Sequence, residues 1–147
     1  MTTDRTTWDG LPVADEPPFG AMVVVYRRSP DRLLMLHRAH HGPDHAGDWA
    51  WTPPSGSRQP GEDITACALR ELAEEAGIDG VALTPVEVGD ERWSHFACEL
   101  PEAAVVRLVD PEHDRYEWLP VAQALARVRP EFVLTYLTAT CTLLGLH

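Results

Sequence analysis

Apolar positions along this chain change their period several times, and each change marks an element. Ala21 to Tyr26 is an unbroken apolar, largely β-branched run, as expected of a strand covered on both faces. Arg27 to Arg32, with Ser29-Pro30-Asp31, reads as a turn, and Leu33 to His37 as the returning strand of a hairpin. Ala39 to Gly47 has no periodicity and reads as a loop. Trp49 to Pro54 is expected to be extended, because a residue before proline is pushed out of the helical region. Residues 55–61 form a glycine-containing loop. Then the period becomes helical: Ile64, Ala68, Leu72 and Ala76 make one apolar stripe. Glu62 or Asp63 can begin this helix, and Gly77 suits its left-handed stop.

Further on, Val81–Val88, Arg92–Leu100, Ala104–Val109 and Tyr116–Leu119 read as strands. Pro120 opens a short helix, Val121–Val128. Pro130 opens a longer amphipathic one, Glu131–Leu144, with Val133, Leu137, Cys141 and Leu144 on one side. Strands interleaved with well-separated helices predict an α/β fold, a mixed β-sheet packed between helices. Residues 1–18, polar and with Pro12, Pro17 and Pro18, read as a flexible N-terminal arm ahead of a domain at 19–147. Trp8 and Leu11 are the arm residues able to pack back. The last helix could cover the sheet or build a dimer, so monomer and homodimer both stay open.

Composition narrows the function. The 147 residues, 44% hydrophobic and 24% charged, suffice for one domain with a core that needs no metal or disulfide staple. A net charge of −11 argues against a nucleic-acid surface, which needs clustered cations. An anionic substrate still fits if metal ions supply positive charge locally. All 12 basic residues are arginine, which excludes lysine Schiff-base chemistry and a phosphate-loop lysine. Cys67, Cys98 and Cys141 are odd in number and widely spaced, so a disulfide framework or zinc ribbon is not expected and a reducing cytoplasm fits. No apolar run approaches a membrane span, and no secretion signal is visible.

The chemistry is concentrated in GSRQPGEDITACALRELAEEAGI, Gly56 to Ile78. Glu71, Glu74 and Glu75 stand at i, i+3 and i+4, on one helical face. Glutamate-rich helices are usually solvated faces, and three like charges this close destabilise a helix. A hard divalent cation such as Mg²⁺, or Mn²⁺ in its place, would convert that repulsion into binding. The segment resembles the signature box of the Nudix hydrolases, G-x5-E-x7-R-E-U-x-E-E-x-G-U with U aliphatic, at every specified position. The resemblance implies an α/β/α sandwich and hydrolysis of a pyrophosphate bond in a nucleoside diphosphate linked to another moiety. It implies metal ligation by Glu71, Glu74, Glu75 and the Gly56 carbonyl, with Glu71 also a candidate base. Arg70 would orient the glutamates, and Glu62 would anchor the loop through Arg70. Ser55 stands where many members carry glycine or lysine.

Two flanking stretches resemble particular Nudix groups. Trp93-Ser-His95-Phe96-Ala-Cys98 and Glu112-His113-x-x-Tyr116-x-Trp118-Leu119 are similar to hydrolases of dihydroneopterin triphosphate. The second pattern, with Trp51-Thr-Pro-Pro54, is also similar to diadenosine tetraphosphate hydrolases. Both imply that Glu112 is an additional metal ligand or base. Trp51, Trp93 and Phe96 are candidates to stack on a planar base, with core packing the preferred reading of Phe96. Arg27, Arg28 and Arg38 are candidate phosphate contacts. His37, His40, His41 and His45 match no familiar zinc spacing. Two other classes compete: a nucleotide-sensing module of the same fold that catalyses nothing, and an allylic diphosphate isomerase using Cys67 or Cys98.

Overall fold

The computed structural model describes residues 6, 7 and 9–147; Trp8, expected to pack back from the arm, lies outside the described residues. Ten elements follow in order: β1 (Gly20–Arg27), β2 (Arg32–Arg38), β3 (Trp51–Thr52), β4 (Ser55–Ser57), α1 (Ile64–Ala76), β5 (Thr84–Val86), β6 (Trp93–Glu99), β7 (His113–Pro120), α2 (Val121–Arg127) and α3 (Glu131–Leu144). The seven strands form one mixed sheet, with β1 parallel to β6 and antiparallel to its other partners.

The β1–β2 hairpin sets the geometry of the whole molecule. The two strands pair only at Tyr26–Leu33 and Arg27–Arg32 and then part. The fork is filled by the next stretch of chain: β4 pairs with β1 at Gly20–Met22, and β3 pairs with β2 at Leu36 and His37. Beyond the fork, β6 pairs with β1 from Gly20 to Tyr26 and β7 with the whole of β2, with an irregularity between His37 and Arg38.

Successive side chains of β1 point to opposite faces, and both faces are covered. Ala21, Val23 and Val25 join Ala68, Leu72 and Ala76 of α1 in one core layer. Met22, Val24 and Tyr26 join Val121, Ala124, Val133 and Leu137 of α2 and α3 in the other. This is why the run carries no polar alternation. The first helix starts at Asp63, whose carboxylate accepts the Ala66 N–H at 3.0 Å. It stops at Gly77 in the left-handed region, φ 65°, where the Gly77 N–H returns to the Ala73 carbonyl.

Five segments differ from the pattern-based expectation. Trp49, expected in extended chain, sits in a turn at φ 66°, and only Trp51–Thr52 of that stretch is strand. Ser55–Ser57, expected as loop, is a strand because the open hairpin offers β1 as a partner. Only Thr84–Val86 of the 81–88 stretch is strand. Ala104–Val109 is not a strand; it crosses the end of α1, donating the Arg107 N–H to the Ala76 carbonyl and burying Val106. Its alternation records one-sided packing on a helix rather than a ladder. The last strand begins at His113, three residues earlier than expected.

The segment before Phe19 is joined to the domain through Arg58, which is 6% exposed. Its guanidinium donates to the carbonyls of Glu16, Pro18 and Glu62 at 2.9, 2.6 and 3.0 Å. Its backbone carbonyl accepts from the Ala14 N–H. Among the described residues, no helix is long and apolar enough to cross a membrane.

Candidate active site

Pairing of β4 with β1 sets the Gly56 backbone against Ala21, and α1 passes directly over it. A Cβ on Gly56 would overlap the Glu71 carboxyl group, so only glycine leaves that carboxylate its place. Arg70 then fixes the acids. Its Nε and Nη2 bind the two oxygens of Glu62 at 2.8 and 2.9 Å, a two-pronged pairing. Nη1 donates to Glu71 at 2.8 Å and to Glu74 at 3.4 Å, and Nη2 reaches the Ser57 carbonyl at 3.0 Å. One guanidinium thus joins β4, the loop that leads into α1 and two box acids.

The three box acids have different environments. Glu74 is exposed, Glu71 is nearly buried, and Glu75 is 1% exposed. Burial raises the Glu71 carboxyl to about 7 against the pull of Arg70. Burial, followed by the charges of Glu112 and Glu71, holds Glu75 well above the ordinary carboxylate range. The hydrogen bond from Arg70 holds Glu62 below it. Buried carboxylates without a compensating cation are unfavourable, and Glu75 accepts a hydrogen bond from the Ser55 N–H, 3.1 Å away.

Behind Glu75 lies a residue that sequence reasoning left without a role. His113 is 4% exposed, and burial pushes its imidazole down to about 4. Its Nδ1 stands 3.5 Å from a Glu75 oxygen, too far for a well-formed hydrogen bond, and neither ring nitrogen has a hydrogen-bond partner among the described residues. Glu75, Glu112 and His113 bring ligand atoms within 4.8 Å of one another. A buried imidazole with two unsatisfied nitrogens beside two carboxylates fits a divalent cation. Together with Glu71, Glu74 and the Gly56 carbonyl, the donor set is oxygen-rich, as Mg²⁺ or Mn²⁺ requires, with one nitrogen available.

Glu71, Glu74 and Glu112 border a cavity of about 1000 Å³ that is also lined by Arg38, Gly56 and Arg70, while Glu75 and His113 lie behind its wall. Arg38 and Glu112 form an ion pair at 3.6 Å on its wall. Trp93 also lines the cavity; Gly20 has no side chain because the Trp93 ring and the Gly56 carbonyl occupy that space.

Other expected contacts lie elsewhere. Trp51 is 5% exposed, packed in the α2–α3 layer with His37, Arg115 and Arg127 around its ring, and it does not line the cavity. Pairing of β3 with β2 turns that side chain inward. Phe96 is core as well. Arg27 is directed away from the cavity, donating to the Glu102 and Ala104 carbonyls and lying 3.9 Å from the Trp118 ring centre. Arg28 pairs with Glu99. His37 is satisfied by Asp114 and the His45 carbonyl. All three cysteines are buried, and burial pushes the Cys67 thiol up to about 12, which removes it as a nucleophile.

Comparison with known proteins agrees with this geometry. Residues 17–136 match the NUDIX domain, and the chain belongs to the Nudix family. It is 35% identical over 102 residues to the bis(5'-nucleosyl)-tetraphosphatase [asymmetrical] of Sus scrofa, covering 62% of this chain and 66% of that one. The chain thus spans just under two thirds of that relative's length. It is 33% identical over 134 residues to the dihydroneopterin triphosphate diphosphatase of Escherichia coli (strain K12), covering 75% of this chain and 84% of that protein. Among solved structures, a C. elegans Ap4A hydrolase binary complex superposes with a TM-score of 0.68 at 24% identity, covering 86% of this chain and 98% of that one, and attests the fold.

Proposed function

We propose that this chain hydrolyses a pyrophosphate bond in a small substrate, a nucleoside triphosphate or a closely related triphosphate, with Mg²⁺ as cofactor. The observation that carries this reading is the cradle in which Arg70 holds Glu71 over the bare Gly56 backbone at the wall of the cavity. Such an element meets the requirements of the reaction: phosphate charge neutralised, water positioned, and its proton removed.

Glu71, Glu74, Glu75, Glu112, His113 and the Gly56 carbonyl are the groups that would hold the metal. The bound cation supplies phosphate-charge neutralisation and a more acidic water. The protein's own groups do the rest. Arg70 keeps Glu71 and Glu74 in place, so their orientation is fixed before substrate arrives. Arg38 offers the cavity a cation for a phosphate oxygen, with Glu112 as its neighbour. Attack of water forms a P–O bond as the bridging P–O bond breaks. The proton passes to a cavity carboxylate, Glu71 or Glu112, and the leaving phosphate departs with the electron pair. Trp93, on the cavity wall close to the Gly56 carbonyl, is placed to contact the substrate.

A second reading, hydrolysis of dihydroneopterin triphosphate or a dinucleoside polyphosphate, is supported by the printed activities of the E. coli and pig relatives. A purely nucleotide-sensing role is disfavoured by the complete set of acids. The substrate is a small molecule, with neither nucleic acid nor membrane as partner, and the cytoplasm is the expected compartment. The test is product identification after incubation with Mg²⁺ and a panel of nucleoside triphosphates, dihydroneopterin triphosphate, dinucleoside polyphosphates and nucleotide sugars. Release from a triphosphate at the highest kcat/KM supports the first reading. Tight binding with no release from any of them would replace it with the sensor.

A further inference from the structure

One wall of the cavity comes from chain that precedes the sheet. Thr7, Asp9 and Leu11 line it beside Val109 and Asp110. They belong to a tight turn closed by its own hydrogen bonds. The Thr7 N–H donates to the Leu11 carbonyl at 2.8 Å, the Gly10 N–H to the Thr7 carbonyl at 3.0 Å, and the Leu11 N–H to the Thr7 hydroxyl at 3.1 Å. The Thr7 hydroxyl also pairs with the Asp9 carboxylate, and a bridge between Thr6 and Pro12 closes the base of the turn. Gly10, φ 83°, supplies the left-handed residue that so short a reversal needs. Just beyond, Ala14 is buried and its N–H donates to the Arg58 carbonyl, while the Arg58 guanidinium holds the carbonyls of Glu16 and Pro18. The turn is therefore carried to the cavity on a tethered segment.

Its position is the carboxylate end of the cavity. Burial raises the Asp110 carboxyl against a hydrogen bond from the Glu112 N–H, and the charges of Glu74 and Asp9 raise it further, so both acids lie within electrostatic reach of it. Arg38, Arg70 and Arg92 also line the cavity, each already paired with acid: Arg38 with Glu112, Arg70 with Glu62, Glu71 and Glu74, and Arg92 with Asp90. Beside the turn the surface is otherwise apolar, with Leu11 42% and Val109 65% exposed. Phosphates that reach the box acids have a metal to neutralise them. Phosphates running on toward the turn would meet Asp9 and Asp110 instead, and like charges repel.

We infer that the turn bearing Asp9 and Leu11 is a specificity wall: it admits a polyphosphate that ends at the box acids and rejects one that continues through further phosphates into a second nucleoside. This deepens the pyrophosphate reading and rests on it, selecting nucleoside triphosphates over dinucleoside polyphosphates. Asp9 acts by charge and Leu11 by volume, so discrimination comes from repulsion of the wrong substrate rather than from added attraction to the right one. The match to the NUDIX domain begins at residue 17, so the wall is built by residues that precede the family domain.

Calorimetry tests this without turnover. The full chain with Mn²⁺ is titrated with non-hydrolysable methylene analogues of ATP and of diadenosine tetraphosphate. The parent is expected to bind the ATP analogue about tenfold more tightly or better. Asp9→Asn keeps an acceptor for the Thr7 hydroxyl and removes the charge; one like charge at about 4 Å is a factor of about five even in water. The preference should shrink about fivefold in Asp9→Asn and about tenfold in Asp9→Asn with Leu11→Ala. It should shrink further in Asp9→Arg, where a cation replaces the acid. With Mg²⁺, the ratio of kcat/KM for the two nucleotides should follow the same order. Equal binding of both analogues by the parent, or a preference unchanged in all three variants, would overturn the wall. So would an equal loss of affinity for both analogues in Asp9→Arg. A preference that shifts as described while neither nucleotide is cleaved would uphold the wall and fault the enzyme reading alone.

Discussion

Gly56 and Glu71 occupy the same space from opposite sides: the carboxylate of one fills the volume where a side chain on the other would stand. The pair couples a strand residue to a helix residue fifteen positions later. Gly56→Ala must therefore displace Glu71, and overpacking of this kind disturbs stability by about 1–3 kcal/mol. The expected result is a folded protein with Mn²⁺ affinity and turnover each reduced about tenfold or more. Calorimetric Mn²⁺ titration checks it. Unchanged affinity would mean that the metal ligands do not include this carboxylate.

Glu75 is a buried acid next to Glu112 and His113, and its negative charge is unfavourable until a cation arrives. Glu75→Gln keeps an oxygen for the Ser55 N–H and removes the charge. Turnover should fall by more than the roughly 10–100-fold typical of losing a residue behind the ligands. In chelator, however, the variant should melt higher than the parent, each kcal/mol of relief appearing as about 2–4 °C. Scanning calorimetry with and without Mg²⁺ measures both effects. Lower melting in chelator would make Glu75 a structural acid.

Metal-free stability should also depend on pH through Glu71. Its carboxyl, ordinarily near 4.5, is raised to about 7 by burial in the folded chain. Between those values the unfolded chain has released a proton that the folded chain keeps. Glu71's contribution is therefore whole below about 4.5 and is lost as pH rises through 7. His113 acts in the opposite sense: lowered to about 4, it withdraws stability as pH falls from 6.5. Comparison with Glu71→Gln separates the two. Parent minus variant melting temperature, in chelator, should decline steadily from pH 5 to pH 8. A difference independent of pH would discount the buried acid.

Arg58 provides a mechanical test of the arm. Its buried guanidinium donates to three carbonyls, two before Phe19 and one at Glu62. Arg58→Met leaves those acceptors unmatched, at about 1–3 kcal/mol for each buried one. Limited proteolysis should then cut between residues 9 and 18 faster than in the parent, and exchange of the Ala14 amide should accelerate. Equal cleavage rates would mean that other contacts hold the segment.

What could be read from the chain alone follows a physical division. The helix of the box, its Asp63 cap and Gly77 stop depend on neighbours within a few residues, so local pattern discloses them. The same holds for α3, whose apolar stripe contains Val133 and Leu137. Trp49 and Trp51 show where locality ends. They are two positions apart and read alike, yet the positive φ of Trp49 and the pairing of Trp51 with His37 send one ring to the cavity and the other to the core. His113 had no role of its own in the pattern it belongs to, because its burial beside Glu75 and its unsatisfied nitrogens depend on how β7 packs against α1. Arg58, at an unspecified box position, had no local signal of its attachment to the arm.

The parting of β1 and β2 after two rungs has a dynamic consequence. Because Ser55–Ser57 is hydrogen-bonded into the fork, the Gly56 carbonyl belongs to the sheet rather than to a rim loop. Withdrawing it would mean unzipping strand pairs at the centre of the molecule. Breathing of the reaction centre and loss of the fold should thus share one barrier, leaving adaptability to the peripheral turns.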